Sequence, residues 1–145
     1  MTVTLESISL EEARLVVEAC QKKADEIKQP MQIAVVDAGG NLVTHMRMDG
    51  AWTGSADIAM NKAFTAKSFN LATSDLAKES QPGHQFYGIH NSNHGRIMIF
   101  AGGLPLLKDG KVVGALGVSG GSGEQDSQVA QAGKSALEKS FALAR

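Results

Sequence analysis

Residues 102–126 read GGLPLLKDGKVVGALGVSGGSGEQD. Asp109-Gly110 between two apolar runs is the signature of a tight hairpin, so Leu104–Leu107 and Lys111–Ser119 are expected to pair antiparallel. The second run ends in Ser119-Gly120-Gly121-Ser122-Gly123 and opens onto Glu124, as a strand does when it feeds a helix. Gly102-Gly103 in front and the Gly-rich loop behind imply backbone that closely approaches another chain segment or a ligand.

Upstream, Ile97–Phe100 reads as a further short strand. Residues 80–95, QPGHQFYGIHNSNHGR, have no clean period and carry three of the four histidines, the composition of a long functional loop. Before it, Ser74–Glu79 reads as a short helix and Ser55–Ala72 as a longer one. In the longer helix Ala56, Ala59, Ala63 and Ala66 form a small-residue stripe beside Met60, Phe64 and Leu71. So wide an apolar face suggests burial from two sides, one by the sheet and the other open to a subunit partner. Met31–Val36 and Leu42–Met48 form a second hairpin across Asp37–Asn41. Period two puts Val43, His45 and Arg47 on one face of its second strand and Leu42, Thr44, Met46 and Met48 on the other.

Ser9 and Glu12 have capping-box spacing, and Leu10, Ala13, Val17, Cys20, Ala24 and Ile27 continue as a helical stripe until Pro30. Cys20 on that stripe reads as a small buried hydrophobe. A last helix spans about Glu124 to Leu143, with Val129, Ala132, Ala136 and Leu137 inward. Hairpins dominate the order α-β-β-α-(α)-β-β-β-α. The fold class is therefore α+β, an antiparallel sheet of about five strands covered by helices.

The 145 residues read as one domain, 1–145, with 20% charged residues and a net charge of −1. That balance points to no nucleic acid and no acidic membrane surface. With no apolar run of about 18 residues and no signal-peptide pattern, the expected location is cytoplasmic. The single cysteine excludes an internal disulfide.

His84, His90 and His94 are the candidate metal or haem-iron ligands, because neutral imidazole binds both and the loop is permissive; solvated or structural histidines are the other reading. Alternation sends His45 away from Met46 and Met48, so these three do not share one metal. Asp37, Arg47 and Asp49 are expected to pair as structural ions. The loop after Ser119 could cradle an anion or simply turn tightly. Gly117-Val118-Ser119-Gly120-Gly121 misses the G-x-S-x-G nucleophile elbow, and no acid–base pair is set by spacing. Whether the chain is an enzyme is left open by its residues.

Several segments, taken in order, resemble the GlcG/HbpS family, which includes the C-terminal domain of PduO-type corrinoid adenosyltransferases. They are Val36-Asp37-x-x-Gly40-x-Leu42, Arg47-Met48-Asp49-Gly50-Ala51, Lys62-Ala63-x-Thr65-Ala66, Gly102-Gly103-x-Pro105, Val113-Gly114-Ala115-x-Gly117-Val118-Ser119-Gly120-Gly121 and Gln125-Asp126. The resemblance runs from about residue 5 to residue 143 and implies a profilin-like fold. It also implies a homo-oligomer, a dimer or a larger ring such as an octamer, and a small-molecule ligand, with haem or a related tetrapyrrole leading.

Lys62, Thr65, Gly102, Gly103, Pro105, Ser119, Gly120 and Gly121 match the family motif and are expected to frame its pocket. The first helix carries no histidine, so a haem ligand from that helix, as in some PduO-type domains, is absent; His84, His90 and His94 are the substitutes. The implied function is a small-molecule-binding accessory protein of bacterial glycolate, diol or glycerol catabolism. Its alternatives are an enzyme acting on a small organic acid or cofactor through Lys62, Arg47 or a loop histidine, and a non-catalytic assembly partner of a catabolic complex.

Overall fold

The Ser9 capping box forms as read: Ser9 Oγ accepts from the Glu12 N–H at 3.1 Å and Glu12 Oε1 accepts from the Ser9 N–H at 2.9 Å. It starts α1, Leu10–Glu26, in a computed structural model that describes residues 1–145. Lys28, at φ 57°, turns the chain out of the helix before Pro30. Then follow β1 (Gln32–Asp37), β2 (Leu42–Arg47), α2 (Ser55–Phe69), α3 (Thr73–Glu79), two single 3-10 turns at Ile89–Asn91 and Asn93–Gly95, β3 (Gly103–Lys108), β4 (Lys111–Ser119) and α4 (Gly123–Leu143). Ser122 caps α4 through a second capping box with Gln125, an S-x-x-Q spacing visible in the sequence.

The sheet has four strands in the order β2-β1-β4-β3, all antiparallel, so the α+β class holds but the count of about five strands does not. Ile97–Phe100 is not a strand. Its backbone is engaged by α2 instead, the Met98 N–H donating to Thr65 Oγ1 at 2.9 Å. A four-residue apolar run cannot by itself distinguish a strand from a buried irregular segment. The β3–β4 turn is the tight hairpin expected, with Asp109 at φ 51° and Gly110 at φ 78°.

One face of the sheet packs Ile33, Val35, Leu106, Val113, Leu116 and Val118 against α1 and α4, through Val16, Val17, Cys20, Val129 and Leu137. Burial pushes the Cys20 thiol up to about 12, which makes it the inert hydrophobe its place on the stripe implied. The other face packs Ala34, Val36 and Ala115 against Ala59, Ala63 and Ala66 of α2. These small side chains let helix and sheet approach closely. At Gly117 the approach is extreme: an added Cβ would lie 2.0 Å from the Ala59 carbonyl oxygen.

Two readings of faces change. Val35 lies opposite Thr44 and Val36 opposite Leu42, so Val43 is an extra residue on β2. That bulge brings Val43 onto the α1/α4 side together with Met46 rather than with His45 and Arg47. Part of the second side of α2 is covered by this chain's own segment 96–100. Thr65 holds Met98, and the Arg96 guanidinium stacks 3.5 Å from the Phe64 ring centroid. No helix is long and apolar enough to cross a membrane.

Candidate functional site

Lys62 sits on the sheet-facing side of α2, and the absent side chain of Gly117 leaves room for its stem. Its Nζ donates to the Val118 carbonyl at 2.8 Å and to Asp126 Oδ2 at 2.9 Å. Asp126 Oδ1 accepts from the Gly121 N–H at 2.9 Å. The two side chains are 1% and 5% exposed, a buried ion pair joining α2 to the first turn of α4. Burial pushes the Lys62 ammonium down and the Asp126 carboxyl up, and each partner's charge opposes the other's shift. The Phe100 ring centroid lies 5.3 Å from Nζ.

The glycine turns close on this pair. A Cβ on Gly102 would lie 2.8 Å from Lys62 Nζ and 2.5 Å from the Val118 oxygen, and one on Gly103 would lie 2.6 Å from the Lys62 oxygen. The Gly103 N–H donates to Thr73 Oγ1 at 2.9 Å, and the Gly120 carbonyl accepts from Gln29 Nε2 at 2.8 Å. Lys62, Gly102, Gly103 and Gly121 are therefore brought together around a side chain of the protein itself, whereas Ser119 pairs with Gln32 in the sheet and Gly120 packs against Pro30 and Met31. Thr65 faces segment 96–98, and the Pro105 carbonyl accepts from Lys134 Nζ at 2.8 Å. Asp126 is the residue the sequence did not mark as a site. It reads as a helix N-terminal charge, and nothing in one sequence shows that it meets a lysine 64 positions away.

The loop histidines do not converge: no three His, Cys, Asp or Glu side chains gather anywhere to hold a metal ion. His84 and His94 are exposed and His90 is half-buried. His90 Nδ1 is buried without a partner, and its other ring nitrogen makes no protein hydrogen bond. The Tyr87 ring stands edge-on to it, centroids 6.4 Å apart. Phe86 and Phe100 are 45% and 47% exposed and Tyr87 64%, large aromatic surfaces left in water.

A family model described as haem-degrading protein, HbpS-like, matches residues 8–135. The chain belongs to the HbpS-like family. It is 45% identical over 125 residues to an uncharacterized 15.0 kDa protein in the dhaT-dhaS intergenic region of Citrobacter freundii, covering 86% of this chain and 88% of the relative. Against the corrinoid adenosyltransferase PduO of the same organism it is 36% identical over 131 residues, 90% of this chain but 39% of PduO. The HbpS-like chain thus spans well under half of that longer relative. A solved structure described as a PduOC:heme complex has a TM-score of 0.86 at 35% identity, covering 89% of this chain and 94% of that one.

A second polar centre of this HbpS-like protein lies on β1 and β2. Gln32, fully buried, donates from Nε2 to the Trp52 carbonyl at 3.2 Å, and its Oε1 lies 2.7 Å from His45 Nε2. Arg47 makes none of the ion pairs of the fold, so the expected Asp37–Arg47–Asp49 grouping does not form. Asp37 instead organises its own turn, Oδ1 accepting from the Gly39 and Asn41 N–H groups.

Burial pushes the His45 imidazole below its ordinary value of 6.5. The unfolded chain then binds a proton that the folded chain declines, so His45 withdraws stability as pH falls through 6.5. Denaturant midpoints measured from pH 8 down to pH 5 are expected to fall less steeply for His45→Gln than for the parent. Parallel profiles would mean that His45 takes a proton equally readily in both states.

Proposed function

We propose that this chain is a cytoplasmic, homo-oligomeric accessory protein that binds haem or a related tetrapyrrole in a bacterial catabolic pathway. The observation that carries the reading is its likeness, at 35% identity, to a structure described as a haem complex, within a family described as haem-degrading. The corrinoid named in the PduO relative is a macrocycle of the same kind.

The residues fit such a ligand on the loop 81–96. An iron-binding imidazole needs one accessible nitrogen and an apolar surround. His90 has its Nδ1 shielded, its Nε2 unengaged, and Phe86 and Tyr87 exposed close by in the chain. His84 and His94 are the alternatives. When bound, haem would supply a redox-active iron, which His90 would hold while Phe86 and Tyr87 give apolar cover. Five depressions of the surface are lined by residues other than these histidines. The loop thus offers one wall, and a second copy of the chain would supply the other.

A hemin titration followed at the Soret band tests this, with His84→Ala, His90→Ala and His94→Ala in parallel. Saturable binding is expected, weakened by about 10-fold or more in His90→Ala, since loss of even an outer-shell partner costs 10–100-fold in metal affinity. A spectrum no different from that of a control protein overturns the proposal. Loss in His84→Ala or His94→Ala alone would move the ligand to that residue.

A further inference from the structure

An open depression of about 450 Å³ lies where β1 and β2 meet the first turn of α2, lined by Gln32, His45, Arg47, Thr53 and Ala56. None of these residues belongs to the loop proposed for the macrocycle. The hydrogen bonds around Gln32 fix the chemistry of the imidazole. Because the amide nitrogen donates to Trp52, the amide oxygen faces His45, and His45 Nε2 must carry the proton. The lone pair is therefore on Nδ1, which is shielded from bulk water and has no donor.

Arg47 stands directly opposite Gln32 in the β1–β2 ladder, exposed and with no carboxylate within 4.0 Å. The depression is thus lined by a cation without an anion and by an imidazole whose shielded acceptor has no donor. The exposed Thr53 hydroxyl is at hand as a further polar contact.

We propose that this depression binds a small monocarboxylate whose neighbouring carbon carries a hydrogen-bond donor. The guanidinium of Arg47 holds the carboxylate through its planar fork of N–H groups, and the donor engages Nδ1 of His45. Charge selects a single negative charge. Arg47 is the only cation in the lining, so a dianion such as a phosphate monoester would keep one charge unpaired. Since Nδ1 is shielded, the donor reaches it with a shift of the ring or of the rim side chains, and the nitrogen resonances of His45 report that shift directly.

The test uses the full chain without hemin and compares lactate with propionate, which differ by the hydroxyl, and with methyl phosphate. Each is titrated while the His45 ring nitrogens and the Arg47 side chain are followed by NMR. Lactate is expected to saturate with a shift at Nδ1. Lactate is expected to bind Arg47→Gln about 10-fold or more weakly, since hydrogen bonds to charged groups carry that much. Propionate, which lacks a neutral hydrogen bond, and methyl phosphate are each expected to bind the parent about 3-fold or more weakly. Thermal melts establish that Arg47→Gln is folded, and Thr53→Val serves as a second rim variant, expected to weaken lactate without abolishing it. No saturable shift with lactate, equal binding of lactate and propionate, or unchanged binding by Arg47→Gln each overturns the proposal. The hemin titration is read separately, so failure of one result leaves the other standing.

Discussion

Replacing Lys62 by methionine is expected to lower the unfolding free energy by about 3–5 kcal/mol, the usual result of removing one partner of a buried ion pair. That is a large part of the stability of an ordinary domain. The methionine keeps the stem that runs past Gly117, but Asp126 is left 5% exposed with only the Gly121 N–H beside it. Urea unfolding would measure the loss. Lys62→Met with Asp126→Asn should recover much of it, because the amide carries no charge and its oxygen still accepts from Gly121.

Acid gives a second signature of the same change. In Lys62→Met only the Gly121 N–H still opposes the upward push of burial on the Asp126 carboxyl. The folded variant then binds a proton more readily than its unfolded chain. Its deficit against the parent should shrink as pH falls toward the carboxylate range and widen as pH rises. A variant as stable as the parent at neutral pH would show that the pair contributes nothing to the fold.

Gly117→Ala is expected to be the most damaging glycine substitution, costing about 3 kcal/mol or more. The new methyl would fall 2.0 Å from the Ala59 oxygen and 2.5 Å from the Ala63 nitrogen, both backbone atoms of α2. A helix backbone cannot yield as the tip of a flexible side chain can, so α2 must lift from the sheet. Gly54→Ala is the control. Its backbone is already helical, at φ −62°, and nothing lies within 4 Å of the new Cβ. It should be neutral or slightly stabilising, by less than about 1 kcal/mol. Thermal denaturation of the two proteins side by side checks this; a small, equal shift for both would mean that α2 and β4 are not in close contact.

Much of this architecture was legible locally. The capping box at Ser9, the Asp109-Gly110 hairpin and the Gly-rich entry to α4 are each written within a few residues, and each forms. The failures are of another kind. Ile97–Phe100 has the composition of a strand, but whether an apolar run joins a sheet or lies on a helix is decided by Thr65, far away in sequence. Val43 changes side because one extra residue enters β2, which alternation cannot anticipate. Motif residues Lys62, Gly102, Gly103 and Gly121 were recognisable as a set. Their meeting around Asp126 was not, since it depends on contacts between segments that a single sequence does not link. The polar depression at His45 escaped for the same reason: Gln32 reads as an unremarkable residue at a strand end until Trp52 fixes its amide.

Pro105 lies on β3, an outermost strand of the sheet, and its ring occupies the position where a backbone N–H would otherwise stand. Its carbonyl is already engaged by Lys134. At the opposite border, the extra residue in β2 breaks the even spacing that a docking strand must match. A neighbouring molecule therefore finds no uninterrupted row of donors and acceptors to continue. Both borders thus disfavour continuation of this sheet into a second copy, and they are poor templates for fibre formation.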